Sequence, residues 1–142
     1  MLHTLLLQLL PLLRFELAER PILALRARDR QGLGQVGELR PGGADDPAAL
    51  EATLATALRE ADVVLTSGGV SMGDADHTRD LLARMGEVAF WKVAMRPGRP
   101  FAFGPLRRGQ GEAPAWLFAL PGNPVAALVT FYAFAQEALW QL

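Results

Sequence analysis

Residues 62–82, "DVVLTSGGVSMGDADHTRDLL", decide how the chain folds. "DVVLT" is β-branched and carries no charge after Asp62, which predicts a short buried strand. "HTRDLLARM" predicts a helix, ended by Gly86 in the C′ position. Between strand and helix lies a loop rich in glycine, serine and aspartate. Gly68 and Gly69 allow a ligand to approach the backbone closely and allow positive φ. Backbone N–H groups that run into a helix N-terminus form an anion cradle, to which Ser67 and Ser71 add hydroxyl donors. An ordinary strand-to-helix turn has a similar composition. Asp74 and Asp76 sharpen the choice, because two carboxylates face a phosphate only with a hard cation such as Mg²⁺ between them. Asp76 as a plain cap for a helix starting at His77 accounts for it equally well.

Outward from this unit, strands and helices alternate. Asp46-Pro47 supplies an N-cap and a proline at the first helical position, leaving Asp45 free for chemistry. Leu50, Leu54 and Leu58 then repeat every four residues, so one face of a helix over 47–61 is apolar. "EVAFWKVAM", "FAFG" and "AWLFAL" read as strands, "RRGQGEAP" as a polar loop and "VAALVTFYAFAQEAL" as a closing helix. "ILALRA" and "QGLGQVGELR" are candidate strands. Such alternation implies an α/β fold with a mostly parallel sheet, in which ligands bind beyond the carboxyl ends of the strands. Both the glycine loop and the "PGN" turn fall there.

Composition limits the partners. The 142 residues fit one domain, 1–142, with half of them apolar and a fifth charged. A net charge of −1 argues against nucleic acid or a membrane surface as partner, so a bound anion must be held by local charge. The absence of cysteine excludes disulfides and thiolate metal sites and fits a reducing cytoplasm. The leucine-rich start lacks a basic front and a cleavage site, is broken by Pro11, and is too short to span a bilayer. It reads as a helix packed on a core, with His3 as an ordinary surface or core residue.

Local positive charge comes from "WKVAMRPGRP". Arg96-Pro97-Gly98-Arg99 has the type II turn signature, which brings both arginine stems close together. Lys92 makes a third cation beside them; a solvated basic turn is the plain alternative. In "LPGNPVAALVTF", Pro121 and Gly122 lead into Asn123 as N-cap and Pro124 at N1, giving a second helix start able to accept an anion. The three tryptophans sit in apolar runs and read as core.

These three stretches, in this order and spacing, resemble the molybdopterin molybdenumtransferase family, the molybdenum insertases that include the E domain of gephyrin. The resemblance covers residues 44–139 and leaves residues 1–35 as an atypical N-terminal part. It implies the molybdenum-cofactor-biosynthesis domain, a three-layer α/β/α sandwich. It implies insertion of molybdate into adenylylated molybdopterin with release of AMP. By this resemblance Ser67, Gly68, Gly69, Ser71, Gly73 and Asp74, with Pro121, Gly122 and Asn123, bind the pterin and its phosphates. Asp45 and Asp76 match acidic, metal-holding positions that assist Mg²⁺-dependent cleavage, and Lys92, Arg96 and Arg99 match basic positions for phosphate or molybdate, Lys92 counting also among the catalytic residues.

The chain departs from the family in three ways. Arginines replace the usual lysines at positions 96 and 99, and a planar fork is not a point charge. The usual first strand is missing, and so is a "TGDE"-like acidic loop. Two further readings therefore stand beside the insertase: a non-catalytic molybdopterin-binding or assembly module, and a relative of the molybdopterin adenylyltransferases, against which "WKVAMRPGRP" speaks. A sheet without its first strand is expected to self-associate into a homo-oligomer, or to fill the gap with "ILALRA". Other molybdenum-cofactor biosynthesis proteins are further expected partners.

Overall fold

The computed structural model describes residues 22–28, 32–39, 47–67, 75–92, 100–139 and 141, with side chains for 48–67, 79–89, 101–139 and 141. The strands are β1 (Ile22–Arg28), β2 (Gly32–Leu39), β3 (Val63–Ser67), β4 (Ala89–Lys92), β5 (Pro100–Leu106) and β6 (Ala115–Leu120). The helices are α1 (Pro47–Leu58), α2 (Ala75–Met85) and α3 (Pro124–Thr130). A π-helical stretch, Phe131–Ala135, and α4 (Gln136–Leu139) carry α3 onward. The result is an α/β fold around one sheet in the order β2-β1-β3-β6-β5-β4.

The sheet is mixed, which corrects the expectation that it is mostly parallel. Among the described strands only β3 and β6 pair in parallel, while β1 with β2, β1 with β3, β5 with β6 and β4 with β5 pair antiparallel. The reason lies in connection length. A parallel neighbour needs a crossover of roughly a dozen residues or more, whereas β5 reaches β6 through 107–114 and β1 reaches β2 through 29–31. The routes from β2 to β3 and from β3 to β4 each carry a helix, and each delivers the next strand in the same direction but not as a neighbour. The flank of β3 away from β6 is taken by β1, with Ile22 opposite Thr66 and Leu25 opposite Val63. "ILALRA" thus fills that place in the antiparallel sense.

Strand alternation sorts the core into two clusters. Val64 of β3, Leu117 and Ala119 of β6 and Ala102 of β5 pack with Leu54, Ala57 and Leu58 of α1 and Leu81 and Leu82 of α2. Val63, Leu65, Phe118, Leu120 and Phe101 pack with Ala127, Phe131, Ala135 and Leu139 from the C-terminal helical run. Period-two side chains on β3 and β6 thus feed opposite faces. Fully burying one such Leu or Phe contributes about 1.5–3 kcal/mol. On the second face Trp116 stacks on Phe103, ring centroids 5.3 Å apart. Trp116 is only partly buried, and the side chains of Trp91 and Trp140 lie outside the described set.

Gly86 departs from expectation. It follows α2, but it has no left-handed φ; it forms a bridge with Leu106 of β5. A Cβ there would stand 2.0 Å from the Pro105 carbonyl oxygen, and one on Gly104 would stand 2.4 Å from that of Glu87. These two glycines let the end of α2 press onto β5, so Gly86 serves close approach and not a C′ turn.

Candidate functional site

The topology brings the strand ends that flank the sequence-predicted site residues to one edge of the sheet. β2, β3, β6 and β4 all run in one direction, so Leu39, Ser67, Leu120 and Lys92 end at the same edge. Ser67 pairs directly with Leu120, while Lys92 pairs with Pro100 at the start of β5. Every predicted site residue except Asp76, which lies in the first turn of α2, is either the last residue of one of these strands or belongs to the sequence between that strand and the next element. Asp45 falls between β2 and α1, residues 68–74 between β3 and α2, Arg96 and Arg99 between β4 and β5, and residues 121–123 between β6 and α3. Asp45, Gly68, Gly69, Ser71, Gly73, Asp74, Arg96 and Arg99 lie outside the described residues.

Two of the predicted elements are described in atomic detail. Ser67 is buried, with 9% exposure, at the carboxyl end of β3. Among the described residues its hydroxyl has no hydrogen-bond partner. A buried hydroxyl left without one costs about 1–3 kcal/mol, so Ser67 is a polar group held ready at the sheet edge. Beside it the chain leaves β6 through Pro121, which is buried, and through Gly122 and Asn123, which are exposed. Asn123 is extended at φ −70° and ψ 127°, and its Oδ1 accepts from the N–H groups of Val125 at 3.0 Å and Ala126 at 3.1 Å. Pro124 brings no N–H to the first turn. The cap therefore consumes two N–H groups of this helix start. What Asn123 can still offer a ligand is its side-chain amide NH₂, two donors on an exposed turn.

Asp76 occupies the second position of α2, since that helix starts at Ala75 and not at His77. It lies inside the first helical turn, where a carboxylate favours the helix dipole, and it is not the N-cap. Among the described residues no group of three or more His, Asp or Glu side chains is placed to hold a metal.

The opposite edge holds a residue that sequence reasoning passed over. Arg108, in the loop after β5, donates from Nε to the Leu58 carbonyl at 3.1 Å and from Nη2 to the Ala61 carbonyl and to Asp62 Oδ1. Its side chain is 14% exposed. It closes the end of α1, whose last turn carries no basic residue of its own. A helix end without a glycine or a cation leaves carbonyls that need a distant donor, and that unmet need was the available signal. Arg108 holds the fold and stands away from the candidate site.

Residues 41–141 match the MoCF_biosynth family, described as "Probable molybdopterin binding domain". The chain belongs to this family. It is 49% identical over 98 residues to a molybdopterin molybdenumtransferase of Haemophilus influenzae, covering 69% of this chain and 23% of that protein. It is 42% identical over 99 residues to the molybdopterin molybdenumtransferase of a Nostoc species, covering 69% and 22%. Gephyrin of Dictyostelium discoideum is 38% identical over 103 residues, covering 66% of this chain and 14% of its own length. The chain therefore spans less than a quarter of the length of these relatives. The relatives bear the names of molybdenum-cofactor proteins, and the family model describes a probable molybdopterin-binding domain. No helix among the described residues is long and apolar enough to cross a membrane.

Proposed function

We propose that this chain binds adenylylated molybdopterin along the carboxyl edge of its sheet and takes part there in insertion of molybdate with release of AMP. The observation that carries this reading is the convergence of four strand ends on one edge, with the buried Ser67 hydroxyl next to the turn at Pro121–Asn123. A phosphate oxygen is the natural partner for a hydroxyl, an amide NH₂ and glycine-rich backbone N–H groups. The cations needed to hold it come from the connection between β4 and β5: Lys92 at its start and Arg96 and Arg99 within it. An Arg fork grips a tetrahedral oxyanion, phosphate or molybdate, by two parallel hydrogen bonds.

Mg²⁺ belongs to the proposal through Asp45 and Asp76. When bound, it would neutralise the diphosphate charge that is cleaved. The two carboxylates supply oxygen ligands of the type Mg²⁺ prefers, with phosphate oxygens and water completing the set. The protein's own groups then fix the leaving phosphate, exclude water from it and hold the incoming oxyanion. The three-layer arrangement of helices about the sheet and a cytoplasmic setting go with this reading.

A second reading is a molybdopterin-binding module without turnover. One observation favours it: arginines stand at positions 96 and 99 in place of the family's usual lysines, and a planar fork is not a point charge. Calorimetric titration with adenylylated molybdopterin, followed by an assay of AMP release with molybdate and Mg²⁺, tests both. Binding with AMP release supports the insertase, binding alone supports the module, and no binding by a folded chain sinks both.

A further inference from the structure

Phe134 lies outside both core clusters. It is 37% exposed, and its ring stacks on that of Phe101 with centroids 5.4 Å apart and planes 25° from parallel. Phe101 is itself buried. One side of the Phe134 ring is therefore taken by the fold, and its exposure belongs to the rest of the ring.

The π-helical stretch produces this placement. The Gln136 N–H bonds to the Phe131 carbonyl, five residues back, which adds a residue to the turn. Phe131 and Ala135 stay buried while Phe134, between them, reaches out to Phe101. Turns of this kind recur at functional sites.

Phe101 ties the ring to the candidate site. β5 runs opposite to β6 and so begins at the carboxyl edge, where Pro100 pairs with Lys92 and Phe101 with Trp91. Arg99 comes immediately before Pro100 in the chain. Phe101 stands one residue beyond the Ala102–Ala119 pair, level with Leu120, and Leu120 pairs with Ser67. Ser67, Leu120 and Phe101 thus form a row across the sheet. They also share a face. Leu120 and Phe101 belong to the cluster beneath the C-terminal run, and Ser67 follows Leu65 of that cluster by two residues. Two strand spacings, roughly 10 Å, separate the two ends of the row.

The two ends differ in chemistry. A hydroxyl beside an exposed turn suits phosphate oxygens. An exposed aromatic ring suits the face of a flat heterocycle, whose polar edges then stay free for water or other partners. Adenylylated molybdopterin carries both kinds of group, since its diphosphate joins a pterin to an adenosine.

We propose that Phe134, backed by Phe101, is the stacking platform for a flat heterocycle of the ligand whose phosphate lies at Ser67. The inference rests on the proposed function and adds a ring subsite to the phosphate subsite described there. Phe101 holds the Phe134 ring in place before the ligand arrives, so little side-chain freedom is lost on binding.

Calorimetric titration of the full chain with adenylylated molybdopterin, AMP, molybdopterin and inorganic pyrophosphate tests the platform. Phe134→Leu removes the ring and keeps an apolar side chain, and Phe134→Tyr keeps the ring. Leucine should weaken adenylylated molybdopterin about fivefold or more, the lower end for a base stacked on an aromatic side chain. It should leave pyrophosphate unchanged, and tyrosine should keep the parent's affinity. A loss with AMP assigns the adenine to Phe134 and a loss with molybdopterin assigns the pterin; either supports the platform. Parent affinity that leucine leaves unchanged would overturn the platform and leave the proposed function standing. So would an equal loss with pyrophosphate, because Phe134 would then act through the fold. A folded parent that binds none of the ring-bearing ligands would remove both. A second measurement needs no variant. In the parent carrying ring-labelled phenylalanine, nuclear Overhauser contacts should join the assigned Phe134 ring protons to bound adenylylated molybdopterin. A bound ligand without that contact would also sink the proposal.

Discussion

The two edges of the sheet are built to opposite specifications. At the amino edge several polar groups are consumed internally. Arg108 closes α1, the Trp116 N–H donates to the Asp62 carbonyl at 2.8 Å, and the Glu87 N–H donates to the Pro105 carbonyl at 3.0 Å. Gly86 and Gly104 remove the last side chains between α2 and β5. At the carboxyl edge the chain instead exposes Gly122 and Asn123 and leaves a buried hydroxyl on Ser67. One edge spends its polar groups on the fold; the other, on the proposed function, keeps them for a ligand. Substitutions at the first should therefore change stability with little effect on binding, and substitutions at the second should do the reverse.

The largest effect should come from Gly86→Ala. Its Cβ would meet backbone that cannot swing aside, so the cost should reach about 3 kcal/mol or more, a fall of roughly 10 °C in melting temperature. Thermal melting by circular dichroism measures it, and an unchanged melting point would show that α2 does not press on β5 as described. Next comes Arg108→Ala, which removes charge-assisted bonds to two carbonyls and to Asp62. A loss of about 2–3 kcal/mol in urea unfolding is expected, with ligand affinity unchanged for the fraction that remains folded. Arg108→Lys should recover only part of it, since one ammonium cannot reach the end of α1 and Asp62 as a fork does.

Crossing to the carboxyl edge, stability effects shrink. Asn123→Ala should cost about 1 kcal/mol through the lost cap, whereas Asn123→Asp keeps the cap and changes only what is offered to the ligand. The aspartate should leave urea unfolding unchanged and weaken pterin phosphate binding in calorimetry. Equal binding by both would remove Asn123 from the site. The smallest loss of stability should come from Ser67→Ala, which deletes a buried hydroxyl that has no described partner. Unfolding should be unchanged or shift toward greater stability, by up to about 1–3 kcal/mol, while affinity falls roughly threefold to tenfold, the worth of one neutral hydrogen bond. A clear loss of stability with binding intact would mean that this hydroxyl serves the fold.

The same contrast explains what could be read in the sequence. The strand at Val63, the Leu54 and Leu58 face of α1 and the Asn123-Pro124 cap follow from local patterns, and each stands where those patterns put it. Ser67 and the "PGN" turn were legible as neighbours because both follow strands in the same direction. Strand pairing was not legible, since alternation gives the direction of β4 but not which strand lies beside it. The mixed sheet follows from connection lengths that pattern reading passed over. Arg108 and Gly86 escaped because their roles depend on residues distant in the chain. The start of α2 at Ala75 moved Asp76 from cap to first turn, a shift of the size that helix boundaries ordinarily show.

The parallel pairing of β3 with β6 joins residues as distant in the chain as Val63 and Trp116. Its antiparallel neighbours, β1 with β2 and β5 with β6, close over short connections. Closing a long loop costs more entropy and takes longer than forming a hairpin. During folding, then, Ser67 and Leu120 should be among the last residues to become neighbours. In pulse-labelling exchange, amides of the β5–β6 hairpin should gain protection before those shared by β3 and β6, and the ability to bind ligand should appear only with the second group.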